Sequence, residues 1–165
     1  MPTFQELAST IRKDIGDFQI KVRAFSDVSV RFIAEPGRYF ASASTAVATK
    51  VYSRKGGNGV SPQVLYVDDG VYGSFNNVLY DHATPVPEKM WIKQRVPSLI
   101  STLPTTVFGP TCDGLDQMCD HRHAVLPRCE VGDWLLWENM GAYTHTASFV
   151  FNGFTHIPSK IHCVL

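Results

Sequence analysis

FASASTAVATKVYS, residues 40–53, is the stretch on which the fold turns. It is made of small and β-branched residues. Their branched side chains suit an extended, pleated backbone, so the segment reads as one long strand. Upstream the period is different. Phe4, Leu7, Ile11 and Ile15 recur at three- and four-residue steps, which predicts a helix over 3–15 with a single apolar stripe. Thr3 and Glu6 have the spacing of a capping box at its start, and Gly16 is read as its stop. Val28, Val30 and Phe32 then alternate as a half-buried strand would.

Downstream, QVLYV (63–67), FNNVLYD (75–81), DWLLWE (133–138), TASFVF (146–151) and KIHCVL (160–165) read as strands. DDG (68–70), PVPE (85–88) and NG (152–153) supply the turns. KGGNG (55–59) is read as a mobile loop; it lacks the GK[ST] ending of a phosphate loop. No second helix stands out and no repeat is evident. The body is therefore expected to be mainly β, an antiparallel barrel or sandwich. A lone helix and strand before it look like the last αβ piece of an α/β unit, with no parallel sheet upstream to receive it.

The bulk composition narrows the function classes. Fifteen basic residues balance fifteen acidic ones in a chain of 165, with no basic cluster, which disfavours nucleic acid as a partner. No segment approaches the roughly 20 apolar residues of a membrane span. MPTFQELAST lacks the basic flank and apolar run of a signal peptide, and Cys163 lies third rather than fourth from the end, so a prenylation box fails. The reading is cytoplasmic, with Cys112, Cys119, Cys129 and Cys163 as reduced thiols. Cys119, His121, His123 and Cys129 are all zinc-ligand types, but their spacing matches no common structural site. A solvated loop is the better reading there, and no metal is expected.

Four segments carry candidate chemistry, the first three each with a plain alternative. In AEPGRYF (34–40), Glu35 and Arg38 flank Pro-Gly. The arginine fork suits a phosphate or carboxylate, and a local Glu–Arg pair at a turn explains the spacing equally well. YVDDGVYGSFNNVLYDH (66–82) sets acidic residues among aromatics, which suits a cationic ligand; a hairpin with a DDG turn is the majority reading for Asp68 and Asp69. In ENMGAYT (138–144), Gly141 breaks a strand before Tyr143. The glycine allows close approach by a ligand or another chain, or merely joins two strands. Finally, VFGPTCDGLD (107–116) places Cys112 beside Asp113 within a frame of Gly109, Pro110 and Gly114, where a packing thiol is not expected.

Taken in order, AEPGRYF, YVDDGVYGSFN, LYDH, GPTCDGLD, VGDWLLWENMGAYT and FNGF closely resemble the C-terminal part of the eukaryotic ornithine decarboxylases, within the pyridoxal-phosphate-dependent family that also holds diaminopimelate and arginine decarboxylases. The resemblance covers almost the whole chain, from TFQELAS to the end. It implies decarboxylation of L-ornithine to putrescine, with pyridoxal phosphate as the electron sink. It implies that Glu35 pairs with the pyridine nitrogen, that Arg38 and Tyr143 bind the phosphate, and that Asp81 and Asp113 grip the distal ammonium, with Tyr80 lining the pocket. Cys112 would be the acid that reprotonates the α-carbon, a task for which the usual thiol pKa of about 8.5 is suitable. Members are head-to-tail homodimers in which the Cys-Asp loop of one subunit completes the other's active site. Gly141 and Phe151 would lie at that junction.

Family members begin with a (β/α)8 barrel of about 250 residues. It carries the Schiff-base lysine, and none of the seven lysines here lies in a motif of that role. Residues 1–38 are therefore read as the remnant of that barrel and 39–165 as the C-terminal β-domain. The chain is read as a fragment, inactive by itself. Residues 117–130 look like a short insertion without effect on the chemistry. The rival readings are a non-catalytic, antizyme-inhibitor-like regulatory subunit and a free-standing β-domain that only binds partners.

Overall fold

The computed structural model describes residues 2–91 and 101–154. The chain divides into two units, one ending at Pro36 and the other starting at Gly37. The first holds helix α1 (Phe4–Phe25). Its capping box is formed as expected: the Thr3 amide donates to Glu6 Oε2 at 2.7 Å and the Glu6 amide to Thr3 Oγ1 at 3.3 Å. The stop at Gly16 is not observed. A single interior glycine costs only about 1 kcal/mol relative to alanine, and the periodic apolar positions continue through Phe18 and Val22. The helix instead ends where Ser26 turns extended and donates to the Val22 carbonyl. The expected strand at Val28, Val30 and Phe32 is also absent. A strand needs a hydrogen-bonded neighbour, and no other strand exists among the described residues of this unit; Phe32 packs edge-on against Phe18 instead.

The second unit is mainly β, as expected. It holds strands β1 (Val47–Gly56), β2 (Gln63–Val67), β3 (Glu88–Met90), β4 (Thr102–Phe108), β5 (Gln117–Cys119), β6 (Val125–Pro127) and β7 (Trp134–Trp137), with short helices α2 (Gly37–Ala41) and α3 (Asn77–Tyr80). One sheet runs β3–β7–β1–β2–β4–β5, and β6 pairs with β4. Every pairing is antiparallel except β2 with β4, which is parallel over Gln63–Thr105 to Tyr66–Phe108.

Four segments differ from the sequence-based expectation. Residues 40–44, expected to start the long strand, belong to α2 and a 3-10 turn (Ser42–Ser44), because the Arg38 carbonyl is taken by the Ser42 hydroxyl at 2.8 Å. FNNVLYD is helical, not a strand, so DDG opens a series of turns rather than a hairpin. TASFVF contains a 3-10 turn (His145–Ala147) and no strand. The solvated loop over 117–130 instead contributes β5 and β6, and Met118, Cys119, Ala124, Leu126 and Cys129 are buried. KIHCVL lies outside the described residues.

The period-2 alternation of β1 and β2 is what builds the core. Val47, Thr49 and Val51 point in, as do Gln63, Leu65 and Val67, while Ala48 and Lys50 point out. Trp137 fills the centre, edge-on to Phe75 at 4.7 Å, and its indole donates to Thr49 Oγ1 at 2.9 Å. Gln63 is buried without cost because its amide donates to Thr105 Oγ1 and Pro127 O while its carbonyl accepts from the Cys129 amide. Leu65 is fully buried between β1 and β4, so Leu65→Ala is expected to lower stability by about 3 kcal/mol. Val60→Ala, at a position 92% exposed, is expected to leave it unchanged, and urea unfolding followed by tryptophan fluorescence compares the two.

Candidate functional site

Strand direction decides where the candidate residues emerge. β1 runs opposite to β2 and β7, and β4 runs with β2. The C-terminal ends of β2, β4 and β7 and the N-terminal end of β1 therefore share one edge of the sheet. Arg38 precedes β1; Tyr72, Tyr80 and Asp81 follow β2; Cys112 and Asp113 follow β4; Tyr143 and Phe151 follow β7. All eight leave that same edge. Glu35 belongs to the other unit, where it is exposed.

Two clusters form on this edge. In the first, Arg38 Nη2 donates to Asp81 Oδ2 at 2.8 Å, and the guanidinium lies over the Tyr143 ring, 4.6 Å from its centroid. Both ion-pair partners are partly exposed, so the pair is worth only about 0–1 kcal/mol. A ligand charge of either sign can take one partner's place. Tyr143 (φ 54°) and His82 (φ 52°), which follows Asp81, both have left-handed backbone, uncommon outside glycine. Gly141 is a glycine for a reason internal to this chain. A Cβ there would lie 1.9 Å from the Ala41 carbonyl oxygen, and the Gly141 amide donates to Ser42 O at 2.9 Å. Contact with a second chain is not required to explain it.

In the second cluster the Tyr72 hydroxyl donates a short hydrogen bond to Asp113 Oδ2, and the Leu115 amide donates to Asp113 Oδ1 at 2.9 Å. These bonds hold the Asp113 carboxyl below its usual range, the Leu115 amide contributing most, and the same contact with Asp113 pushes the Tyr72 phenol up to about 12. Phe151 stacks on the Tyr72 ring at 3.9 Å, and Phe149 meets it edge-on at 5.5 Å. Cys112 is exposed beside Asp113, and Tyr80 is 65% exposed.

Tyr72 and Asp116 are the residues that sequence reasoning missed. Tyr72 was visible only as one tyrosine among several in an acidic, glycine-rich stretch. Asp116 is 1% exposed and accepts three hydrogen bonds, from the Val71 amide, the Thr111 amide and the Thr111 hydroxyl. Asp68 ties its turn to β1 by accepting from the Lys50 amide, and Asp69 accepts from the Gly70 and Ser74 amides of its own turn. The four zinc-type residues are engaged apart. Burial pushes the Cys119 and Cys129 thiols up to about 12 and about 11, His121 lies near Thr106, and His123 pairs with Asp120. Among the described residues no group of three or more such side chains is placed to hold a metal.

Two outcomes follow from this geometry. Gly141→Ala is expected to cost about 1–3 kcal/mol through overpacking against Ala41, read as a lowered thermal midpoint. Tyr72 is expected to titrate about two pH units later than an ordinary tyrosine, and Asp113→Asn to bring it back toward 10, as followed by phenolate absorbance. The raised phenol contributes stability that is complete below pH 10 and lost as the pH rises to about 12.

Comparisons with known proteins identify the family and the fold. The sequence profile described as "Pyridoxal-dependent decarboxylase, C-terminal sheet domain" matches residues 38–141. Antizyme inhibitor 2 of Xenopus laevis is 42% identical over 94% of this chain and 34% of its own length. Ornithine decarboxylase of Caenorhabditis elegans is 37% identical over 92% of this chain and 36% of its own. The crystal structure of the Paramecium bursaria Chlorella virus arginine decarboxylase bound to agmatine superposes with a TM-score of 0.72 and 31% identity, over 90% of this chain and 37% of that one. The chain thus spans about a third of the length of the relatives it matches.

Proposed function

Because the chain belongs to the pyridoxal-dependent decarboxylases and carries their C-terminal sheet domain, we propose that it serves an ornithine decarboxylase, which removes the α-carboxyl of L-ornithine to give putrescine. One observation carries the reading. An arginine and two carboxylates leave the same sheet edge, in a chain whose relatives include enzymes named ornithine decarboxylase.

The residues present fit pyridoxal phosphate. A guanidinium stacked on a tyrosine ring and held only by an exposed ion pair presents the planar fork that a phosphate takes. Arg38 and Tyr143 would hold the phosphate and Glu35 the pyridine nitrogen. When bound, the cofactor supplies the electron sink for the pair left as carbon dioxide departs. The rest falls to this chain. Asp81 and Asp113 bind the distal ammonium, whose distance from the α-carbon distinguishes ornithine from other amino acids. Tyr80 lines the pocket. Cys112 Sγ carries the proton that the α-carbon receives. In the longer protein the Cys112–Asp113 loop serves the partner's site in a homodimer, with Phe151 beside it. Residues 1–38 are the end of the (β/α)8 barrel. The protein acts in the cytoplasm, and no described helix is long and apolar enough to cross a membrane.

A second reading rests on the 42% identity to an antizyme inhibitor, which makes a non-catalytic regulatory role the competitor. Carbon dioxide release from labelled ornithine decides between them. The chain by itself is expected to release none. The longer protein containing it is expected to turn over, with Cys112→Ala lowering kcat by about 100-fold or more. Asp113→Asn is expected to raise KM for ornithine roughly tenfold or more, the worth of one hydrogen bond to a charged group. A longer protein that folds and binds pyridoxal phosphate yet releases no carbon dioxide would favour the regulatory role.

A further inference from the structure

Asp116 differs from the carboxylates already assigned. It is 1% exposed, and among the described residues it makes no ion pair. Burying a carboxylate costs several kcal/mol unless bonds to its charged form replace the lost water. Here three donors do so. The Val71 amide reaches Oδ1 at 2.9 Å; the Thr111 amide and hydroxyl reach Oδ2 at 3.0 and 2.7 Å. Two glycines make the room. A Cβ at Gly70 would lie 2.1 Å from Oδ1 and one at Gly109 would lie 2.3 Å from it. The main chain of Asp116 closes the same loop, its carbonyl accepting from Gly109 at 2.7 Å and its amide donating to Asp113 at 3.0 Å.

The donors come from two separate loops. Val71 immediately precedes Tyr72, in the loop after β2. Thr111 immediately precedes Cys112 and Asp113, in the loop after β4. The side chain of Asp116 is thus a clamp between them, and the Tyr72–Asp113 hydrogen bond lies one residue beyond on one loop and two on the other. We propose that Asp116 is a positioning residue, whose buried carboxylate fixes the loop of Tyr72 against the loop of Cys112 and Asp113 and so sets where the thiol and the cation-binding carboxylate stand. Its catalytic consequence rests on the function proposed above; the clamp itself does not.

The test therefore uses a readout that needs no turnover. In the 165-residue chain, 3-fluorotyrosine is placed at position 72 and its titration followed by fluorine NMR, with circular dichroism to report the fold. Asp116→Asn keeps the volume but replaces one acceptor oxygen with a donor facing N–H groups. The expected result is a folded variant in which the Tyr72 titration moves down by up to about two pH units, and in which alkylation of Cys112 by iodoacetamide changes rate. A folded variant with an unmoved Tyr72 titration and an unmoved Cys112 rate overturns the proposal. If Asp116→Asn does not fold, Thr111→Val decides. It removes only the hydroxyl donor, and the same two readouts must shift in part for the proposal to stand. Failure of the longer protein to decarboxylate ornithine would remove the assigned reaction and leave these readouts untouched, so the two failures are told apart.

Discussion

The pattern of strand directions across β7, β1, β2 and β4, antiparallel twice and then parallel, is the constraint on which the rest depends. Three of these strands end, and one begins, at the same edge. Four loops from distant parts of the sequence therefore meet without any of them needing to be long. The parallel pairing of β2 with β4 matters most. An antiparallel pairing would send the segment after β4 to the opposite edge, and Asp113 would lie a strand's length from Tyr72. With roughly 3.3 Å of rise per residue, a seven-residue strand separates its ends by about 20 Å. No side-chain adjustment bridges that distance. The site is thus a product of topology first and of side-chain chemistry second.

How much of this was legible depended on whether the signal was local. The capping box of Thr3 and Glu6 was legible because donor and acceptor lie three residues apart. The alternation of Val47 to Val51 and of Gln63 to Val67 was legible because one buried face imposes a period of two. FNNVLYD and TASFVF misled for the same reason in reverse. Their β-formers are short runs, and the hydrogen bonds that decide them come from neighbours: Tyr80 and Asp81 donate back to Asn76 and Asn77, and Ser148 to His145. The strands β3 and β4 were not read as strands, and β5 and β6 were read as loop. β4 carries Pro104 and threonines, and its partners lie tens of residues away. Of the site, Arg38, Asp81, Cys112, Asp113 and Tyr143 lay in segments singled out by residue type, and their roles came through a resemblance, not through geometry. Asp116 was hidden because an aspartate in a Gly/Pro loop reads as solvated. Its 1% exposure, its three donors and the close approach of Gly70 and Gly109 show otherwise.

The two carboxylates proposed to bind the substrate are held by different kinds of partner, and this has a consequence for charge. Asp81 is neutralised by a cation, Arg38. Asp113 is held by a backbone amide and a neutral phenol, so its negative charge stays available, and the raised Tyr72 phenol remains protonated at any ordinary pH. Before any ligand arrives, then, Asp113 is the carboxylate open to an ammonium. A phosphate that engages Arg38 trades a marginal ion pair for a doubly charged partner and leaves Asp81 without its cation. On the function proposed above, Asp81 and the partner subunit's Asp113 would then face one substrate cation, which supplies the charge that Asp81 has lost. On this reading the phosphate end and the ammonium end of the site are coupled through one arginine. The coupling is small because the pair is exposed, and that weakness is what lets the exchange occur.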